Sequence, residues 1–320
     1  MNQSQLLLSP QRAIPARKRG LLASARKYGP IYLFLVPTFT LLAVFTFYPI
    51  LSAFWHSFYR WDGSTAEFIG LENFIQMFTS DRAFLASLPN VAKLVIFRVL
   101  VALTIPLLAA EVIFSLRDGA VAYFWRVLLV VPMVVPWVVL ILVWLFIYDP
   151  QMGILNTLLT RIGLEEWKQL WLGDLRLALW SIAFFGFPWI SGLNLLIYLA
   201  GLDAIPHELF DAAAIDGASR IRRFLHIDIP MIMGQLKLIF ILTLITQIQN
   251  FQDVLIFTNG GPGQATMVPG LVLYHSAFFY SKMGYASAIG VTLFVVIFAI
   301  TLVNMTLIRS DIEYNPEQQN

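Results

Sequence analysis

Long apolar stretches separated by short polar ones set the pattern of this chain. No Asp, Glu, Lys or Arg occurs in residues 28–59, 127–148, 177–202, 254–281 or 283–308. A helix needs about 20 predominantly apolar residues to cross the hydrocarbon of a bilayer, and runs of this length match that need. The pattern predicts six spans, at about 31–59, 89–116, 122–148, 176–201, 231–258 and 284–309. Lys93, Arg98 and Glu111 interrupt the second, and prolines fall inside the second (Pro106) and third (Pro132, Pro136). Membrane helices accept proline where neighbouring groups re-satisfy the freed carbonyls. Between the spans, Phe68-Ile-Gly-Leu-Glu-Asn-Phe74 reads as a Gly turn followed by an amphipathic helix. Asp149-Pro-Gln-Met-Gly-Ile-Leu-Asn156 and Thr258-Asn-Gly-Gly-Pro-Gly263 are turn chemistry. The second of these is Gly-rich, yet no strand–helix unit surrounds it, so a tight turn is expected rather than a phosphate cradle.

Composition agrees with a bilayer as the main solvent. The 320 residues are 58% hydrophobic and 12% charged, with a mean hydropathy of +0.74, whereas soluble domains carry roughly a quarter charged residues. An all-α polytopic membrane protein is the fold class expected. The absence of cysteine excludes disulfides, thiolate catalysis and Cys-based metal sites. His56, His207, His226 and His275 are scattered, so no metal site is predicted. A net charge of +2 gives no argument for nucleic acid.

The placement of charge sets orientation. With both termini in the cytosol, thirteen Lys and Arg fall on the inside and six on the outside, the bias that the positive-inside rule requires. Residues 1–29 then form a basic cytosolic tail, residues 30–309 the transmembrane domain and residues 310–320 a cytosolic C-terminal tail. The N-terminal basic stretch leads into a span too long for a cleavable signal.

The exception to the apolar pattern is residues 202–230, on the inside between the fourth and fifth spans. Pro206 suits the first turn of a helix, and Glu208 and Asp211 complement its positive end. Gly217 can take the left-handed conformation that ends a helix, and Ser219 can cap a second short helix carrying Ile221, Phe224 and Leu225. Pro230 opens the fifth span. The expectation is a helix–Gly turn–helix knob with a small Ala212/Ala213 patch and three arginines around it. The plainer reading, a cytosolic loop whose charges only satisfy orientation, accounts for the charge but not for the caps and the turn.

Asp211-Ala212-Ala213, then Gly217, then Ile227-x-Ile229-Pro230 resembles the EAA loop of ABC importer permeases, with Asp for Glu and Ile for Leu. Further stretches, among them Gly153-Ile-Leu-Asn156, Ile215-Asp-Gly-Ala-Ser219, Thr258–Gly263 and Gly284-Tyr-Ala-Ser-Ala288, are similar to the carbohydrate-uptake branch and to its first permease subunit. Only residues 1–29 lie outside the resemblance. It implies a type I importer permease fold with its core at about 88–309 and a coupling loop at 202–230, in a bacterial cytoplasmic (inner) membrane. It also implies a second, related permease, two ATPase subunits that bind ATP and Mg, and an external solute-binding protein that delivers a sugar. No catalytic residue and no cofactor is expected in this chain, which has no P-loop. Asp211, Ala212, Ala213, Asp216, Gly217, Arg222, Arg223 and Pro230 are the coupling candidates. Two readings stay open for Asp211 and Asp216: bonds to the second helix's N-terminus, or to the ATPase. Two also stand for Arg222 and Arg223: pairing with ATPase carboxylates, or orientation anchoring.

Polar and aromatic residues inside the spans are the substrate-pathway candidates. Thr243, Gln247, Asn250 and Phe251 share one helical face at i, i+4, i+7 and i+8, and Asn194 and Tyr198 are spaced i, i+4. Inter-helix packing is the alternative for each. Lys93 and Arg98 are either snorkelling cations or a patch that attracts an anionic sugar. An ion-driven secondary transporter is the competing class. Glu111 and Asp253 are its only intramembrane acids, both near span ends, and no internal repeat accompanies them. A membrane-embedded enzyme would need a His/Asp or Cys/His constellation, which the sequence lacks.

Overall fold

The computed structural model describes residues 33–116 and 119–307. The tails expected at 1–29 and 310–320 lie outside the described residues. The chain divides into two units at Ser52/Ala53. Within the first, the helix α1 (Leu33–His56) begins; its side chains up to Ile50 are exposed and largely apolar. A π-helical turn at Ala43–Phe47 lies within α1.

The second unit opens with a hairpin of β1 (Tyr59–Trp61) and β2 (Ala66–Phe68), paired antiparallel with Arg60 opposite Glu67. The Asp62 carboxylate closes its turn. It accepts from the Thr65 and Ser64 amides at 2.7 and 2.8 Å and from both hydroxyls. These bonds, the Thr65 amide first, hold its carboxyl well below the usual carboxylate range. Then come α2 (Glu72–Thr79), α3 (Arg82–Phe114), α4 (Gly119–Val130), α5 (Trp137–Ile147), α6 (Ile154–Arg161), α7 (Ala178–Phe184) and α8 (Gly192–Asp203). They are followed by α9 (His207–Ile215), α10 (Arg220–Met231), α11 (Met233–Gln249), α12 (Gln252–Phe257), α13 (Pro269–Phe278) and α14 (Met283–Leu307).

The central element is α3. Its 33 residues give a rod of about 50 Å at 1.5 Å per residue. Along it lie four apolar clusters in turn. Phe84 sits with Met77, Tyr285 and Ile289, and Leu94 with Ile141, Phe185 and Phe257. Val95 backs Leu244 and Ile297, while Leu107, Ala110 and Ile113 pack on Tyr198, Leu202 and Ile232. Helices α8, α11 and α13 all pack on it. Its first turn is fixed by Asp81, whose Oδ1 accepts from the Phe84 amide at 3.0 Å. That cap starts the helix at Arg82, seven residues before the expected start, and Pro89 is carried inside it.

Three of the expected spans are long single helices: α1, α3 and α14. The other three are broken. α4 and its continuation to Val134 meet α5 at 93°, where Pro132 and Pro136 remove two amide donors. The fifth span does not open at Pro230, which lies inside α10. The bend, 68°, falls at Ile232 between α10 and α11, and α11 stops at Gln249, with α12 a separate helix. The fourth is split between α7 and α8 at Gly186–Trp189, where Pro188 lacks an amide and Gly186 and Trp189 take positive φ. Among the described residues, three helices are long and apolar enough to cross a membrane, or five if each bent pair is one span.

The loops at the hairpin end are tied by buried amide side chains. Asn73 donates to the Ser57 and Tyr59 carbonyls at 2.9 and 3.0 Å, and Asn90 to those of Gln264 and Met267 at 3.1 and 3.0 Å. Asn156 donates to the Pro150 and Gln169 carbonyls and accepts from the Trp171 indole at 3.0 Å. Tyr285 donates to Asp81 Oδ2 at 2.6 Å, joining the starts of α14 and α3. Beside it, a Cβ on Gly284 would stand 2.0 Å from the Tyr59 carbonyl oxygen and 2.9 Å from the Trp61 amide. Neither backbone atom can yield without lifting β1 off α14. Gly284→Ala is expected to lower stability by about 3 kcal/mol, the upper range for overpacking. Gly290→Ala, whose new Cβ meets only Leu273 at 3.5 Å, is expected to be tolerated. Thermal unfolding of the two variants in detergent checks the contrast.

Candidate functional site

At the other end of α3, residues 204–232 form a compact knob around α9 and α10. Pro206 precedes α9 and Glu208 lies in its first turn. The helix closes with the Gly217 amide donating to the Ala214 carbonyl at 3.1 Å and the Ala218 amide to that of Ala213 at 2.9 Å. This pair of bonds needs a left-handed residue between them, and Gly217 supplies it with φ +69°. Ser219 then caps α10, its Oγ accepting from the Arg222 amide at 3.3 Å. The second helix's N-terminus is therefore served by Ser219 and not by Asp211 or Asp216, both of which are exposed.

The knob has an inner and an outer face. Inward, Ala213 is buried and the Phe210 ring lies tilted against Phe114 at 5.7 Å. Outward stand Asp211, Ala212, Asp216, Arg220 and Arg222, together with two uncovered apolar side chains, Ile215 at 86% and Ile221 at 72% exposure.

Arg223 departs from both readings of its role. Its Nη2 donates to Glu111 Oε1 on α3 and its Nε to Asp228 Oδ2 at 3.1 Å, while its guanidinium lies 5.2 Å from the Phe210 ring centre. An arginine committed in this way is an internal brace, and only Arg220 and Arg222 of the three remain on the outer face. Sequence reading placed Asp228 within the knob but did not pair it, or Glu111, with Arg223. The available signal was a lone acid three residues from the end of an apolar helix, which needs a partner.

The intramembrane candidates are not one stripe. Thr243 and Gln247 are half-buried on α11, but α11 ends before Asn250 and Phe251. Asn250 leaves the helix because its side chain donates to Asp253 Oδ2 at 2.9 Å. The other Asp253 oxygen accepts from the Trp137 indole at 2.7 Å, which joins the first turn of α12 to the break between α4 and α5. Phe251 stacks on Tyr274 at 5.2 Å and, with Gln249, Leu273 and Phe294, lines a cavity of about 280 Å³ between α11, α13 and α14. Asn194 is half-buried in the first turn of α8. Tyr198 is fully buried among Leu107, Ala110 and Leu202, its hydroxyl reaching the Leu103 carbonyl at 3.5 Å. In this conformation it packs the core and lines no open path.

Arg98 is likewise turned inward. Its two terminal nitrogens donate to the Phe185 and Ile182 carbonyls at 2.9 and 3.0 Å, and Asp253 supplies a compensating charge. It closes the C-terminal end of α7, where carbonyls lack helical partners, so it is spent on the protein and presents no anion site here. Lys93 is exposed.

Residues 102–310 match the family described as binding-protein-dependent transport system inner membrane component. The chain is 34% identical over 282 residues to the probable ABC transporter permease protein YurN of Bacillus subtilis, covering 87% of this chain and 96% of that one. It is 33% identical to the diacetylchitobiose uptake system permease protein NgcF of Streptomyces coelicolor, covering 86% and 80%. A solved bacterial ABC transporter, involved in the import of the acidic polysaccharide alginate, contains a chain of the same fold. It superposes with a TM-score of 0.80 over 90% of this chain and 97% of that one at 20% identity.

Proposed function

This chain belongs to the binding-protein-dependent transport inner-membrane family, and from that premise we propose that it is one permease subunit of an ATP-driven sugar importer in a bacterial cytoplasmic membrane. It pairs with a second, related permease, two ATPase subunits dock on the cytosolic side, and a solute-binding protein delivers the sugar outside. Hydrolysis of ATP belongs to the ATPase subunits and not to this chain. The sugar assignment is supported by the diacetylchitobiose permease among its relatives.

The observation that carries the coupling role is the outer face of the knob. Ile215 and Ile221 are uncovered beside Arg220 and Arg222, a pairing of apolar anchors and cations that suits a protein cleft with an acidic rim better than free solvent. Both termini then lie in the cytosol, and six spans are retained by counting the broken ones. Closure of the ATPases moves the knob, and the helix breaks at Val135–Pro136, Gly186–Trp189 and Ile232 are where the bundle bends between its two openings. Thr243, Gln247, Phe251 and Asn194 are the groups left to meet sugar.

The test is uptake into proteoliposomes holding the complete transporter. Removing ATP while the proton and sodium gradients are held is expected to stop uptake. Uptake that continues and collapses only with a gradient would overturn the assignment.

A further inference from the structure

The Glu111–Arg223–Asp228 cluster is unlike the rest of the knob. The side chains are 18%, 23% and 0% exposed, and they come from two helices separated by 112 positions. Asp228 holds the guanidinium within α10, Phe210 covers it from α9, and Glu111 binds it from α3. One cation therefore fastens three helices. Two carboxylates share it, and Glu111 Oε2 and Asp228 Oδ1 are buried with no other partner among the described residues. Breaking the contact would leave unpaired charge out of water, which is strongly unfavourable. The three groups are thus held together as the knob moves, and the contact acts as a tether.

The tether ends on α3, the helix that contributes to all four apolar clusters. Its far end is fixed to α14 through Asp81 and Tyr285. Displacing α9 and α10 must therefore load α3 at Glu111, one turn from its C-terminus. The neighbouring contact of Phe210 on Phe114 is apolar, and the Arg126–Asp203 pair at the base of the loop is largely exposed, so neither ties the knob to α3 through a buried charge.

Resting on the coupling role given above, we propose that Glu111 is a positioning residue for transport: through Arg223 it transmits displacement of the knob into α3. A purely structural role would change how much protein accumulates. A positioning role changes how much sugar moves per ATP hydrolysed.

The experiment measures that ratio in proteoliposomes of the full complex, normalised to assembled transporter. Glu111→Gln is expected to keep the complex together and lower the ratio about tenfold, the size of a 1.4 kcal/mol coupling within one charge network. Arg223→Lys, which keeps the charge but loses the fork, is expected to fall with it. The double variant Glu111→Gln/Arg223→Lys is expected to be no worse than either single one. Glu111→Asp, which retains the charge on a shorter arm, is expected to recover part of the ratio. An unchanged ratio in assembled Glu111→Gln complex would overturn the proposal. Should Glu111→Gln not assemble, Glu111→Asp decides by the same reading, because a wild-type ratio there would also overturn it. Wild-type transporter that moves sugar without ATP would instead overturn the coupling role itself.

Discussion

Gly217→Pro is expected to abolish transport while the protein still reaches the membrane. The backbone at this position has φ +69°, and proline is confined to about −65°. The substitution also deletes the amide that donates to Ala214, so the turn between α9 and α10 must reorganise and the outer face is no longer presented as one surface. The spans are built from other residues and remain. Gly217→Ala separates conformation from bulk. A Cβ there meets nothing within 4 Å, so its penalty is the left-handed conformation alone, about 1–2 kcal/mol, and partial transport is expected. Gly217→Asn, which tolerates that conformation better, is expected to transport best of the three. Co-purification of the ATPase alongside uptake checks the series. A Pro variant that binds the ATPase and transports normally would refute this account of the knob.

Arg98→Leu is expected to be the most damaging single change within the spans. It leaves the Phe185 carbonyl and part of the Ile182 carbonyl without a donor between buried residues. An orphaned buried acceptor costs about 1–3 kcal/mol, and two carbonyls are affected, so a fall of about 3 kcal/mol in stability is expected. Because the damage is to the fold, uptake of neutral and anionic sugars should fall by the same factor. Selective loss of anionic sugar, with melting in detergent unchanged, would return Arg98 to the substrate pathway.

Helix ends and long uninterrupted runs were legible in the sequence. Pro206, Gly217 and Ser219 mark the knob because caps and left-handed turns depend on residues within a few positions. The runs 28–59 and 283–308 contain the whole of α1 and of α14. What escaped depends on distant partners. Pro132 and Pro136 are visible, but the fold at that break is held by Trp137 on Asp253, 116 positions away. The apparent stripe through Asn250 and Phe251 assumed a helix that the same Asp253 draws Asn250 out of. Tyr198 and Arg98 looked like pathway groups because polarity in a span suggests function. Both instead serve backbone carbonyls, Leu103 for one and Ile182 and Phe185 for the other. The β-hairpin was missed because three-residue strands carry almost no periodicity.

The loops at the hairpin end are joined largely through Asn73, Asn90 and Asn156. A side-chain amide has no proton to gain or lose across the biological range, and its carbonyl partners have none either. The clasps made by these three side chains therefore keep the same bonds in acid and in alkali. The hairpin turn beside them differs, because its Asp62 carboxylate loses the bonds to Ser64 and Thr65 once strong acid protonates it; souring of the medium would thus open the turn and leave the amide clasps shut.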